Sequence, residues 1–96
     1  MATNNGSNRT VTGTASTLAS AQPVSYGVQI TADSGNAGTV YVGNNANITA
    51  GSAAATDGYQ LAAGASVFIP KVVAADLSLI YVIGSGGTQV VYFLWS

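Results

Sequence analysis

The chain has 96 residues and only five charges, Arg9, Lys71, Asp33, Asp57 and Asp76, or 5% where an ordinary soluble domain carries about 25%. A net charge of −1 with two basic residues cannot neutralise a row of phosphates, which excludes nucleic acid as a partner. No His and no Cys leaves no imidazole base, no thiolate, no zinc site of ordinary ligand type and no disulfide.

Residues 1–22 are almost entirely Thr, Ser, Asn, Ala and Gly, with Val11 and Leu18 the larger aliphatic side chains after Met1. Such a segment buries too little apolar area to offset its ordering entropy, so by itself it is expected to be mobile. It reads either as a frayed terminus or as an extended arm that orders on a neighbour by adding a strand to an exposed sheet edge. Thr10, Val11 and Thr12 supply the β propensity for that pairing, and Leu18 a second anchor. The opening residues show no apolar signal-peptide core. A folded domain is expected over residues 23–96.

From Pro23 the pattern becomes periodic. Val24, Tyr26, Val28, Ile30 and Ala32 alternate with polar or small residues, the period of a half-buried strand. Asp33-Ser34-Gly35-Asn36 reads as a turn, and Thr39 to Gly43 as a second strand with Val40 and Val42 on one face, together giving an expected hairpin. Residues 43–58 form a long loop of small residues with a possible short strand at Asn47 to Thr49. Ala62 to Ala65 reads as a tight turn before a strand over Ser66 to Pro70. Leu77 to Gly84 alternates as a strand, with Ala74 to Leu77 as a candidate single turn ahead of it. Gly84 to Gln89 reads as a hairpin loop, and Gln89 to Trp95 as a last strand, apolar on both faces, which must be locked inside a sheet. The apolar C-terminal stretch is broken at this loop into two runs of strand length, so no transmembrane helix is expected. Short strands at regular intervals and no convincing helix give an all-β fold, a small antiparallel sandwich or barrel of jelly-roll type with an extended N-terminal arm.

Little of the chain is equipped for chemistry. Each Asp occupies a turn position, and a Ser or Thr nucleophile would need a base that the sequence lacks outside Lys71 and the N-terminus. The Gly84-Ser85-Gly86-Gly87 run lies between two strands, whereas phosphate-binding loops open a helix. No enzyme activity, cofactor, metal or small-molecule substrate is expected. The five tyrosines and Trp95 read as core or interface residues before they read as a sugar-stacking platform.

Three stretches carry a resemblance: Gly38-Thr39-Val40-Tyr41-Val42-Gly43, then Gly58-Tyr59-Gln60-Leu61-Ala62-Ala63-Gly64-Ala65-Ser66-Val67, then Asp76-Leu77-Ser78-Leu79-Ile80-Tyr81-Val82-Ile83-Gly84-Ser85-Gly86. In this order they resemble small structural proteins of tailed-bacteriophage virions, over roughly residues 24–95. The resemblance implies a capsid decoration, or cement, protein on the outside of the head, often trimeric, assembled in the host cytoplasm and bound to the major capsid protein. On that reading Thr10, Val11, Thr12 and Leu18 would dock the arm on the shell, and Tyr59, Phe68 and Trp95 would form the homotrimer contact. A receptor- or glycan-binding module of a head fibre or tail is the alternative, and it requires an exposed Tyr59 beside an exposed 43–60 loop. Without a residue that titrates between pH 5 and 8, shell binding is expected to vary little with pH in that range and weakly with salt.

Overall fold

A computed structural model describes residues 5–51 and 55–96; the first four residues of the expected arm and positions 52–54 of the long loop lie outside the described residues. Eight strands are present among them: β1 (Gly6–Val11), β2 (Ser16–Thr17), β3 (Gly27–Ala32), β4 (Val40–Gly43), β5 (Tyr59–Leu61), β6 (Ser66–Pro70), β7 (Tyr81–Gly84) and β8 (Gln89–Trp95). They form two antiparallel four-stranded sheets, β1-β8-β3-β6 (sheet I) and β2-β7-β4-β5 (sheet II), packed into a sandwich that does not close into a barrel.

The pairing follows one rule. β1 pairs with β8, β2 with β7, β3 with β6 and β4 with β5. The chain is therefore a single long hairpin, folded at the 44–58 loop and rolled so that its paired arms alternate between sheets. β3–β8 and β4–β7 contacts then complete each sheet. This is the arrangement of a jelly roll.

The roll explains which local expectations fail. The segment 33–39 does not close a hairpin between β3 and β4, because it carries the chain from sheet I to sheet II; the Gly84–Thr88 segment likewise carries it back from β7 to β8. Both segments do turn sharply: Asn36 N–H donates to the Asp33 carbonyl at 3.1 Å, and Gly86 and Gly87 hold φ of +75° and +103°. Gln89, almost fully buried, ties the two crossings together. Its Oε1 accepts from Gly38 N–H at 3.0 Å and its Nε2 donates to the Ser85 carbonyl at 3.0 Å. Asn36 does the same from the side, its amide exchanging two bonds of 2.9 Å with the Val90 backbone.

The expected mobile arm is corrected by the same topology. Residues 6–11 are paired in register with β8, from Gly6↔Leu94 to Val11↔Gln89, and Ser16–Thr17 pairs with β7. Val11 and Leu18 have 0% and 1% exposure and lie in the main core with Val28, Ile30, Val91 and Phe93. The segment is polar because it supplies one edge strand to each sheet, and its few apolar side chains are the ones that point inward. Arg9, on the same inward-facing row, keeps its Nε buried without a hydrogen-bond partner in the structure. An inward-pointing charge on an edge strand is a common guard against edge-to-edge pairing.

Two strand boundaries also move, one strand is gained and one is lost. The third strand starts at Gly27, not at Val24, so Tyr26 leaves the inward row and is 76% exposed. Leu77–Leu79 is a 3-10 turn and the seventh strand begins only at Tyr81. Its cause is Asp76, whose carboxylate accepts from Ser78 N–H, the Ser78 hydroxyl and Gln22 N–H at 2.8–2.9 Å, capping the turn and fixing the 22–24 segment to it. Tyr59–Leu61 is a strand that sequence alternation does not announce, and Asn47–Thr49 is no strand but an isolated bridge, Thr49 to Asp57.

Candidate interaction surface

The two outer faces differ. On sheet II, Tyr41 and Ile83 point outward and are covered by Ile48 from the 44–58 loop, forming a second small apolar cluster. Among the described residues sheet I has no such cover. Register places Asn8 and Thr10 of β1, Val90, Tyr92 and Leu94 of β8, Gln29 and Thr31 of β3, and Ser66 and Phe68 of β6 on its outer face. No charged residue stands among them. Tyr92, Leu94 and Phe68 are the large apolar groups exposed there, and a shallow groove of about 230 Å³ runs between Gln29, Thr31, Tyr92 and Leu94. A sheet that is bare on one face ordinarily alternates to polar residues there; this one substitutes neutral amides, hydroxyls and aromatics.

The sides of the sandwich differ as well. β1 and β2 bound one side, where Val11 and Leu18 seal the core. β5 and β6 bound the other, where an open cleft of about 240 Å³ lies between the sheets, lined by Val42, Tyr59, Val67, Phe68, Ile69 and Val73 among others. This cleft is apolar. A second, polar cleft of about 310 Å³ shares Tyr59 and is lined by Asn44, Asn45, Asn47, Thr56 and Asp57.

The residues expected to make contacts are thus divided. Val11 and Leu18 are core residues and unavailable to a partner, whereas Thr10 and Thr12 are exposed. Tyr59 of sheet II and Phe68 of the β6 edge both border the apolar cleft. Trp95 does not join them: it is half-buried against the main core and stacks on Phe93, ring centroids 5.8 Å apart. Sequence reading missed Tyr26, Val72, Val73 and the outward pair Tyr92 and Leu94 as surface groups. For the last two the signal was present in the alternation of β8, whose inward set is Gln89, Val91 and Phe93. Nothing in the sequence marks Val72 and Val73, which follow the strand-ending Pro70 and lie in a turn.

The Asp residues keep to loop and turn work. Thr49 Oγ1 donates to Asp57 Oδ1 at 2.7 Å across the bridge before β5. The backbone N–H groups of Ser78 and Gln22 hold the Asp76 carboxyl below its ordinary value, against a smaller opposing effect of desolvation. No group of three or more His, Cys, Asp or Glu side chains that could hold a metal exists among the described residues, nor does a helix long and apolar enough to cross a membrane. No protein-family model, curated protein or solved structure matches the chain.

Proposed function

We propose that this chain is a capsid decoration protein of a tailed bacteriophage, bound to the outer surface of the major capsid protein shell, which it stabilises. The observation that carries the reading is the bare outer face of sheet I, where Tyr92, Leu94 and Phe68 stand exposed among neutral polar groups with no charge to define a small polar ligand. Such a face suits a broad protein surface. At roughly 25 cal/mol per Å² of apolar area, each copy contributes modestly, and a shell that binds many copies gains the sum. Low charge allows dense packing, since like-charged neighbours would repel. The jelly-roll arrangement supports the reading by analogy alone, as the same architecture serves capsid and lectin domains. The motif resemblance to small virion proteins adds to it.

The test is the position of the protein on purified virions, by electron cryo-microscopy with mass spectrometry to identify the chain. Density on the outside of the shell supports the proposal. Its confinement to a tail or fibre, or absence from the particle, overturns it. Glycan recognition by a fibre module is the second reading, favoured by the exposed Tyr59 beside the Asn-rich polar cleft. That reading requires the isolated protein to bind glycans or cells by itself.

A further inference from the structure

We infer that the β5–β6 side of the sandwich is a self-association surface, on which a second copy of this chain docks about a two-fold axis through the edge of β6. The inference is separable from shell binding, which rests on Tyr92 and Leu94 of the outer face of sheet I; Phe68, at the β6 rim of that face, is the residue the two surfaces share.

The edge is available. Among the described residues no strand lies beyond β6 in sheet I. Ala32 N–H donates to the Ala65 carbonyl at 2.9 Å and Lys71 N–H to the Tyr26 carbonyl at 2.8 Å, one at each end of the β3–β6 ladder. Antiparallel alternation between these bonds turns Val67 and Ile69 toward β3 and leaves the N–H and C=O of Phe68 facing outward at the middle of the strand. A strand laid antiparallel on its own copy, Phe68 opposite Phe68, satisfies both groups reciprocally. Pro70 has no N–H and its carbonyl already accepts from Val73 and Ala74, so backbone pairing is confined to the centre of the strand. Side chains must therefore provide most of the contact.

They are present and in place. Tyr59, Phe68, Val72 and Val73 are 63%, 55%, 91% and 51% exposed on or beside the cleft. The Phe68 ring lies over Gly27, where a Cβ would meet it at 2.7 Å, so it is held against the sheet before any partner arrives. Allowing about 150–250 Å² for a whole aromatic side chain, these four groups present on the order of 500 Å². A single such patch against an inert surface is too small for a specific interface. Two identical patches bury about 1,000 Å², the lower limit for one.

Charge also favours a second copy. Among the residues lining the cleft none is charged, so the surface offers nothing to select an acidic or basic partner and nothing to repel its own copy. Lys71 is the nearest charge along β6. In the two-fold pairing the two lysines stand at opposite ends, six residues or about 20 Å apart, beyond the screening length of about 10 Å at 0.1 M salt.

Sedimentation equilibrium on the full chain tests this. The expected result is a reversible transition from one copy of 9.5 kDa to two, with Phe68→Glu weakening association at least tenfold. Leu94→Glu, on the outer face of the same sheet, is expected to leave the dimer intact and to abolish attachment to heads. Near-ultraviolet circular dichroism at the Phe93–Trp95 stack verifies that both variants are folded. A chain that stays monomeric to about 100 μM, one that forms trimers, or one whose dimer is insensitive to Phe68→Glu overturns the inference. Head binding by a monomeric chain would overturn the inference and leave the proposed function standing.

Discussion

The two sides of the sandwich do opposite things with similar strands. On the β1–β2 side, a segment of small polar residues places Val11 and Leu18 in the core and points Arg9 inward, so its edge offers little apolar surface. On the β5–β6 side, Tyr59 and Phe68 border an apolar cleft that reaches between the sheets to Ala74 and Ile80. Polar composition marks the side that is finished, and apolar composition the side that is not. A segment's composition therefore says little about whether it is ordered until its partner strand is known.

The sharpest way to break the comparison is to remove the finished side. Deleting residues 2–20 takes away the edge strands β1 and β2 and the two core side chains, and is expected to abolish the cooperative thermal transition altogether. A folded truncated domain would restore the mobile arm that composition alone implies. Single substitutions contrast the sides more finely. Leu18→Ala should cost about 2–5 kcal/mol in urea unfolding, as for other buried leucines. Phe68→Ser should cost less than about 1 kcal/mol when measured on dilute monomer, because its ring is half in solvent.

An intermediate effect is expected away from both sides. Gln89→Leu leaves Gly38 N–H and the Ser85 carbonyl without their partner at the two crossings, at a cost of about 1–3 kcal/mol for each group left buried and unpaired. Thermal melts of the variant check it. The smallest effect is on pH dependence. Asp76 is lowered below its ordinary value of 3.8 by bonds that exist only in the folded chain, so its contribution is complete above that value and is lost as pH falls below it. Asp76→Asn should flatten that acid limb of the stability profile while leaving the region above pH 5 level, apart from a constant offset.

Alternation alone marked the inward rows of β4, β6 and, from Val28 onward, β3, because in each of them one side packs on the core. Turn chemistry placed the Asp33 turn and the Gly64 turn correctly. What was not legible is long-range pairing: Gly6 meets Leu94 and Ser16 meets Val82, and no local pattern encodes a partner so far along the chain. The same blindness made two sheet crossings look like hairpins and hid the Asp76 cap, whose third bond comes from Gln22. At the candidate surface, Tyr59 and Phe68 were legible only as part of the oligomer contact that the resemblance implies. That both border one cleft was not, since β5 and β6 belong to different sheets.

Amide hydrogen exchange, read residue by residue on dilute and on concentrated protein, measures the contrast directly. The account predicts that concentration adds protection within residues 59–73, centred on the Phe68 amide, while residues 6–18 exchange at the same rate throughout. Protection gained instead at Gly6–Val11, or gained nowhere, would contradict it.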